Sequence, residues 1–385
     1  MKTVIKICLW LLAFIPLIVD NSVFFPYTSA KNLLIESFLV LAGILILINF
    51  FYSKVFREKI VGKVIKYIKH PLVISVSVFL LINIISTIFA VDKHAAFWGE
   101  LSRVEGLAGL SFFFSFFIFT LLAFEKEDWL WFFKLGLFTS LTLLGKEFTE
   151  FFQGVSRPGS YTGNPTFLAG YLLFSVTSGF IVLSEVKNTF FKYLSIITII
   201  LSILGIFMAQ TRGTILGLGL GIIVALVYCA FKGGDINYKI FNLRKVAIIL
   251  LSTGIVFSGI FAVTRKNEVW QKVPGLARVA IIGSGDAEDL STPVRFYLYK
   301  SSLKAVIPLE NGWGKLLIGW GPDNFIIAES KNYDPDLYNI EPDWHDRAHN
   351  KLLDVLVMNG LFGLLIYLAV WLIFFKFIFK KYART

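Results

Sequence analysis

Cysteine and histidine, the residues that most often build disulfide frameworks and metal sites, are scarce in this chain. Its 385 residues include two cysteines and four histidines. Cys8 and Cys229 each lie inside an apolar run, where a thiol behaves as a small hydrophobic side chain, so no disulfide framework is indicated. His345 and His349 are four residues apart, but no third histidine or cysteine lies beside them. Metal sites usually need more such ligands, so the pattern argues against a metal.

Charged side chains are also few, at 16% of the residues, whereas 56% are hydrophobic and 16% are aromatic. The mean hydropathy is +0.72. This composition excludes an ordinary soluble globular protein and predicts a polytopic membrane protein. The formal net charge is +11, but the basic residues lie between the apolar runs and form no compact patch. We therefore expect them to meet anionic lipid or a substrate phosphate, and we expect no nucleic acid partner.

Ten apolar stretches are close to the twenty residues that an α-helix needs to cross a bilayer. They are residues 3–20, 32–52, 72–91, 106–124, 129–150, 166–185, 189–209, 213–231, 246–264 and 360–380. The first is interpreted as a retained span, because no suitable signal-peptide cleavage site follows it closely. The connecting segments 53–70 and 232–245 are rich in lysine and arginine, and the positive-inside rule places both in the cytoplasm. Alternation of the spans then places both termini in the cytoplasm.

This topology divides the chain into three regions. Residues 1–264 form an all-α transmembrane bundle with short outer loops, and residues 265–348 form a large extracytoplasmic loop that contains amphipathic helices. Residues 349–385 supply a short interfacial helix, the last span and a basic cytoplasmic tail. Within the large loop, residues 292–307 are predicted to form a helix with Arg295 near its start. Residues 96–109 are predicted to form a further helix in the membrane interface.

Seven of the ten arginines fall on the predicted outer side, where the positive-inside rule does not explain them. They are Arg103, Arg157, Arg212, Arg265, Arg278, Arg295 and Arg347. The planar fork of arginine binds phosphate through two hydrogen bonds, which suits recognition of a diphosphate at a membrane surface. The alternative is a set of surface ion pairs, and it applies best to Arg278 and Arg347. Acids of the same loop that could pair with them include Asp286, Glu288, Asp289, Asp343 and Asp346.

The span at 213–231 opens with Gln210-Thr211-Arg212-Gly213 and continues with further glycines. Gly217 and Gly221 are four residues apart, which favours a helix-packing face over a phosphate loop. Arg212 stands at the outer end of two consecutive spans, where a guanidinium must reach the interface or be paired.

The stretch 349–363, HNKLLDVLVMNGLFG, joins the long hydrophilic segment to the last span. Asp346 is predicted to cap a short helix and to place His349 in its first turn, where the helix start disfavours imidazolium. His349 would then be a neutral proton acceptor. Gly360 and Gly363 are predicted to let this helix bend with close backbone approach. The alternative is an amphipathic linker with an incidental histidine.

These residues resemble a known family. The pattern His349, Asn350, nine residues, Gly360-x-x-Gly363 is similar to the signature of the O-antigen ligases and the related O-antigen polymerases and protein O-oligosaccharyltransferases. The other segments that fit the resemblance, in order, are GNPTFLAGYL at 163–172, Gln210 to Gly213, the helix with Arg295, and IGWGPDNF at 318–325. The resemblance covers residues 95–375 and implies a bundle of about a dozen spans, so we expect 10–12.

The resemblance implies a glycosyltransferase at the outer face of the bacterial inner membrane, in lipopolysaccharide biosynthesis. A glycan would pass from a polyprenyl (undecaprenyl) diphosphate carrier to a hydroxyl of a lipid A core or another acceptor, with inversion and with no metal or other cofactor. His349 would be the general base or orient the acceptor, and Arg212 and Arg295 would bind the diphosphate. Further substrate contacts are expected from Arg103, Arg157, Asn164 and Asn350.

The acceptor stays open at this point, because the shared motifs concern the donor. An O-antigen polymerase and a protein O-oligosaccharyltransferase are the nearest alternatives. A transporter is the alternative of another class, and it would place ionisable residues at mid-membrane or at broken helices. The candidate residues, Glu36, Lys134, Lys146 and Glu147, mostly lie at span ends, and the chain has no convincing internal repeat.

Overall fold

A computed structural model describes residues 2–100, 103–232, 237–238, 241–282 and 291–382. Asp286, Glu288 and Asp289, three expected partners of the loop arginines, lie outside this part of the chain. The chain forms two compact units, one of Met1–Trp129 with Leu290–Thr385 and one of Leu130–Asp289. The three regions 1–264, 265–348 and 349–385 were defined by the side of the membrane and stay a prediction.

The described residues are almost entirely helical, and the helices are labelled in chain order. The first part of the chain forms α1 (Lys2–Leu11), α2 (Ser29–Tyr52), α3 (Lys54–Tyr67), α4 (Pro71–Ile88), α5 (Lys93–Trp98), α6 (Leu107–Ala123) and α7 (Lys126–Phe152). There follow α8 (Pro165–Glu185), α9 (Thr189–Met208), α10 (Arg212–Lys232), α11 (Leu243–Thr264), α12 (Glu268–Gln271) and α13 (Leu276–Ala280). The last part forms α14 (Ser291–Lys304), α15 (Pro308–Asn311), α16 (Trp313–Leu317), α17 (Phe325–Lys331) and α18 (Lys351–Tyr382).

The remaining regular structure is short. Leu12–Leu17, Ser160–Thr162 and Pro335–Asn339 are 3₁₀ turns. Two strands of two residues each, β1 (Asn237–Tyr238) and β2 (Phe241–Asn242), pair antiparallel between α10 and α11.

The prediction of an all-α polytopic membrane protein is confirmed. Among the described residues, seven helices are long and apolar enough to cross a membrane: α2, α4, α8, α9, α10, α11 and α18. The other three predicted spans are also helical but differ in form. Residues 3–20 divide into α1 and a 3₁₀ turn that contains Pro16. Residues 106–124 form only the 17-residue α6, and residues 129–150 lie inside the 27-residue α7, which has charged residues near both ends.

Polar caps fix where several of these spans begin. The side chain of Asn164 accepts a hydrogen bond from the Thr166 peptide N–H at 2.8 Å, and Pro165 occupies the first position of α8. Asn188 caps α9 in the same way. Proline at this position loses no hydrogen bond, because the first peptide N–H groups of a helix have no partner within it.

The predicted interfacial helix over residues 96–109 is wrong. The α5 helix ends at Trp98 and α6 begins at Leu107, and the chain turns back between them. Gly99 has φ +78°, and a Cβ on Gly106 would overlap the backbone of Gly99. The two glycines therefore allow a backbone contact that a continuous helix would not make.

The interpretation of the α10 glycines as a helix-packing face is also wrong for the described residues. A Cβ added at Gly217 or Gly221 would meet no atom within 4 Å. The buried residues of α10 are Ile215 and Leu218, so the glycines face outward. Close packing occurs instead between α8 and α9, where a Cβ on Gly179 would come within 2.6 Å of Ile199.

In the first unit, α18 packs along α4 and against the turn that follows α16. The peptide N–H groups of Trp320 and Gly321 donate to the carbonyls of Val357 and Met358, both at 2.9 Å. The hydroxyl of Ser86 donates to the Ile318 carbonyl at 2.7 Å. Around this contact lies a hydrophobic core of Ala305, Val306, Trp320, Phe325, Ala328, Ala348, Val357 and Met358.

Gly360 bends α18 as predicted. Its φ of +68° and ψ of −170° are non-helical and belong to a region that is essentially restricted to glycine. A Cβ at Gly360 would overlap the Leu317 carbonyl group, and a Cβ at Gly319 would overlap that of Met358. The two glycines thus permit backbone-to-backbone contact between the turn and the helix. On the α4 side, the Asn359 amide donates to the Asn83 side chain at 2.8 Å.

We expect the Gly360→Ala substitution to destabilise the first unit. The backbone strain alone costs about 1–3 kcal/mol, and the overlap with Leu317 adds to it. The midpoint of thermal unfolding in detergent, followed by intrinsic fluorescence, measures the loss.

Gly254→Ala is the matched control, because Gly254 lies inside the α11 helix and a Cβ there would meet no atom within 4 Å. Alanine at such a position is neutral or stabilising by about 0.5–1 kcal/mol. Equal unfolding midpoints for the two variants would contradict the close contact described at Gly360.

Candidate functional site

His349 lies immediately before α18, and not within a helix. Its φ is +54°, which is uncommon for a residue other than glycine. Asn350 caps α18 by accepting a hydrogen bond from the Leu352 peptide N–H at 3.1 Å. The prediction that Asp346 caps this helix, with His349 in its first turn, is therefore wrong.

A buried carboxylate holds the backbone on the other side of His349. Asp354, one turn into α18, accepts a hydrogen bond from the Ala348 peptide N–H at 2.7 Å. The Asp354 peptide N–H in turn donates to the Asn350 carbonyl at 2.9 Å. The turn that presents His349 is thus tied to the helix at both ends, which supports its strained backbone conformation.

Asp346 has a different partner from the one expected. The Arg103 guanidinium donates two hydrogen bonds to its carboxylate, one from Nε and one from Nη2 at 3.1 Å. This bidentate arrangement is the strong geometry for an arginine and a carboxylate. Arg103, predicted to contact substrate, is therefore engaged by the protein in this structure.

Arg347 lies at the centre of a network of charged side chains, in which Arg347 and Asp323 are buried, Glu105 is half-buried and Lys351 is exposed. The Arg347 side chain is 6% exposed and forms ion pairs with Asp323 and, at 3.2 Å, with Glu105. Lys351 approaches Glu105 at 3.5 Å. The expectation of an ion pair at Arg347 is confirmed, but the pair is buried and its partners lie 24 and 242 residues away.

The charges of the network stabilise one another. Burial alone would lower the pKa of Arg347, but Asp323 and Glu105 outweigh that effect and raise the pKa above its usual value. Burial alone would likewise raise the pKa of Glu105, but Lys351, Arg347 and Arg103 together lower it. Each group therefore stays charged near neutral pH.

Asp323 and Asn324 attach this network to the chain around residue 99. Asp323, with φ +55°, accepts a hydrogen bond from the Glu100 peptide N–H. The Asn324 side chain accepts from the Asp92 peptide N–H at 2.8 Å and donates to the Asp92 carbonyl at 3.0 Å. Val104, on the segment that carries Arg103 and Glu105, is also at positive φ. Strained non-glycine residues of this kind cluster at functional sites.

The electrostatic surroundings of His349 favour the neutral imidazole. Although the side chain reaches the surface, partial removal of its water lowers its pKa below 6.5, and Arg295 lowers it further. Arg103 and His345 act in the same direction, and Asp346 opposes them. The lowered pKa agrees with the expected neutral state of His349. It is caused by the surrounding protein and its cations, and not by the start of a helix.

Arg295 differs from Arg103 and Arg347, the two arginines of the charged network. It lies exposed on α14, whose predicted helical structure is confirmed. No carboxylate forms a salt bridge with it in the part of the chain that the structure describes. The charges of Arg103 and Arg347 are balanced by acids, whereas the charge of Arg295 stays available to an anion beside His349.

A cavity of about 170 Å³ lies next to the charged network. Its lining includes the charged residues Glu105, Lys351 and Asp354 and the aromatic residues Phe79 of α4 and Phe113 of α6. A mostly apolar hollow with a few charged groups is typical of a small-molecule site.

The second unit brings the other predicted site residues together. Burial lowers the pKa of Arg157, and the nearby charge of Arg212 lowers it further. Gln210, at φ +51°, donates to the Ser156 carbonyl at 2.7 Å, which links the start of α10 to the loop of Arg157. Asn164 caps α8 at the end of the same loop.

The predicted site residues therefore fall into two groups, one in each unit. The first is Arg103, Arg295, His349 and Asn350, and the second is Arg157, Asn164 and Arg212. Among the described residues, no group of three or more His, Cys, Asp or Glu is arranged to hold a metal ion.

Sequence reasoning missed Asp323 as the partner of Arg347 and Glu105 as the link to Lys351. One signal was present: Asp323 follows Gly321-Pro322 in a turn-rich segment, and aspartate tolerates the left-handed conformation observed there. Nothing in the linear pattern paired it with a residue from the chain around position 103.

Comparison with known proteins gives one match. Residues 197–368 match a family model described as O-antigen ligase, and this region includes Arg212, Arg295 and His349. A search of the curated proteins finds no match to the chain. The resemblance seen in the sequence is thereby confirmed, and residues 197–368 are similar to the O-antigen ligase family.

Proposed function

We propose that this protein transfers a glycan from a polyprenyl diphosphate carrier to an acceptor hydroxyl, in the manner of an O-antigen ligase, at the outer face of the bacterial inner membrane. The family match supports glycosyl transfer, and the seven apolar helices support a membrane location. The observation that carries the proposal is a neutral histidine beside an arginine that has no described carboxylate partner.

His349 would act as the general base. Its neutral imidazole accepts the proton of the acceptor hydroxyl as that oxygen attacks the anomeric carbon of the glycan. The bond between the anomeric carbon and the phosphate oxygen breaks, and the carrier diphosphate leaves with the electron pair. Such a direct displacement inverts the anomeric configuration. General-base assistance typically contributes about 10²–10⁴-fold in rate.

Arg295 would stabilise the diphosphate. The leaving group gains negative charge as the bond breaks, and the Arg295 guanidinium would stabilise that charge. Binding of the anion would also cancel the effect of Arg295 on His349. The pKa of the imidazole would then rise toward its ordinary value, which makes His349 a stronger base when donor is present.

The cavity beside Glu105 and Lys351 suits part of an amphiphilic substrate, because its lining combines charged groups with aromatic side chains. We propose that Arg103 and Asn350 serve chiefly by holding the turn of His349, through Asp346 and the α18 cap. We keep the proposal of a diphosphate contact for Arg212, as for Arg295, and of further substrate contacts for Arg157 and Asn164.

A polytopic transporter is the candidate of another class, and one observation favours it. Glu147 is fully buried in α7, and neither of its carboxylate oxygens has a hydrogen-bond partner among the described residues. Buried ionisable residues in membrane helices often mark a transport pathway.

We expect His349→Ala to reduce transfer by about 10²–10⁴-fold, because the general base is lost. Arg295→Ala should also reduce it, through weaker binding of the leaving group. The assay follows glycan from a purified polyprenyl diphosphate donor to three acceptors in parallel: core lipid, a second donor molecule and a peptide. Lys304→Ala, on the same helix as Arg295, is the control for loss of a positive charge.

Chelator in the assay tests whether a metal is required, and the acceptor consumed separates ligase from polymerase and from protein glycosylation. Product with retained configuration would exclude direct displacement. Absence of transfer to any acceptor by folded wild-type protein would favour the transporter.

The titration of His349 provides a test that does not depend on activity. In NMR spectra of protein with labelled histidines, assigned with His349→Ala, its midpoint should lie below 6.5. Arg295→Gln removes a nearby cation, so imidazolium becomes less unfavourable and the midpoint should rise. Lys304→Gln should leave it unchanged. A midpoint that Arg295→Gln does not raise would refute the proposed electrostatic effect of Arg295 on His349.

A further inference from the structure

Two large apolar side chains are exposed outside the membrane-spanning helices, on the short segment of α15 and α16. Leu309 is 98% exposed and Trp313 is 68% exposed. They lie four residues apart along the chain, on either side of Gly312. Bulky apolar residues grouped on a surface indicate a binding partner or a membrane.

The chain just after this segment is fixed against two spans. The Ile318 carbonyl accepts a hydrogen bond from Ser86 of α4, and the Trp320 peptide N–H donates to Val357 of α18. Val357 is six residues into α18, or about 9 Å along its axis at 1.5 Å per residue. Val357 also precedes the bend at Gly360 and the predicted last span, residues 360–380. We therefore expect the neighbouring Leu309 and Trp313 to lie near the level of the membrane interface.

Lys315 of α16 and Lys331 at the end of α17 lie close to the same aromatic ring. The Nζ atoms of Lys315 and Lys331 lie 4.7 and 5.5 Å from the centre of the Trp320 ring. Neither lysine forms a salt bridge in the part of the chain that the structure describes. Burial lowers the pKa of Lys315, and the charge of Lys331 lowers it further. Two cations this close, without an acid between them, would be stabilised by an anion.

The nearest acid along the chain does not fill that role. Glu329 lies on α17 with Lys331, but it is buried and its carboxylate has no hydrogen-bond partner among the described residues. Burial raises its pKa to about 7. The cluster therefore combines an uncompensated pair of ammonium groups with exposed apolar side chains, which is the arrangement that an anionic lipid complements.

We propose that α15 and α16 form a site for an anionic phospholipid. Lys315 and Lys331 bind the lipid phosphate, and Leu309 and Trp313 contact the upper part of the acyl chains. This site is independent of the proposed transfer reaction. Its occupancy would hold the turn at residues 318–321 against the bilayer, and that turn leads directly into Asp323.

The test measures lipid binding by the full chain in nanodiscs. Bilayers of phosphatidylcholine with increasing phosphatidylglycerol are compared for wild type and for Lys315→Gln/Lys331→Gln. At about 1 kcal/mol per lysine near an anionic surface, each substitution should weaken binding of phosphatidylglycerol about fivefold. Lys315→Arg/Lys331→Arg should retain binding. Lys266→Gln/Lys272→Gln removes the same charge from exposed lysines elsewhere and should have little effect.

Two further experiments test whether the ligand is a phospholipid or a free phosphate. Soluble glycerol phosphate should compete weakly, and equal competition would reassign the site to a free phosphate. Lipids brominated in the acyl chain should quench the fluorescence of Trp313, so Trp313→Phe should remove part of the total quenching. The proposal is overturned if the glutamine pair binds phosphatidylglycerol as wild type does, or if Trp313→Phe leaves the quenching unchanged.

Discussion

The buried ion pair between Arg347 and Asp323 connects the segments that form the site. Arg347 belongs to the turn of His349, Asp323 belongs to the turn after α16, and Glu105 brings in the segment that also carries Arg103. Removing one partner of a buried pair leaves an uncompensated charge, which typically costs about 3–5 kcal/mol. The positions of these segments therefore depend on one another, although they are distant in sequence.

Close backbone packing places this network at the end of the last span. Gly319 and Gly360 allow the turn after α16 to touch α18, and two peptide hydrogen bonds fix the register of that contact. Ser86 ties the same turn to α4. The strained backbone at Asp323 and His349 costs about 1–3 kcal/mol at each residue and is supported by this surrounding structure. Together these contacts give the imidazole a defined position.

The balance of charge separates the arginines that hold the site from the one that can act on a substrate. Arg103 and Arg347 are neutralised by carboxylates of the protein, and they stabilise the turn. Arg295 lacks such a carboxylate among the described residues, and its charge acts on His349. A cation left without a protein anion beside a neutral base suits an anionic leaving group and an acceptor that must lose a proton.

The amino-acid sequence by itself determined the membrane class, the seven long apolar helices, the α14 helix, the bend at Gly360 and the family resemblance, because these follow from apolar length, local turn chemistry and short motifs. It also indicated His349 and Arg295 as candidate site residues. Only the tertiary structure decided that Asn350 and not Asp346 caps α18, that Gly99 and Gly106 fold a predicted helix into a turn, and that the α10 glycines face outward. It alone paired Arg347 with Asp323 and Arg103 with Asp346. Such ion pairs form only where segments that are distant in sequence come into contact. The packing of whole helices decides which segments do so, and local sequence patterns do not encode that packing.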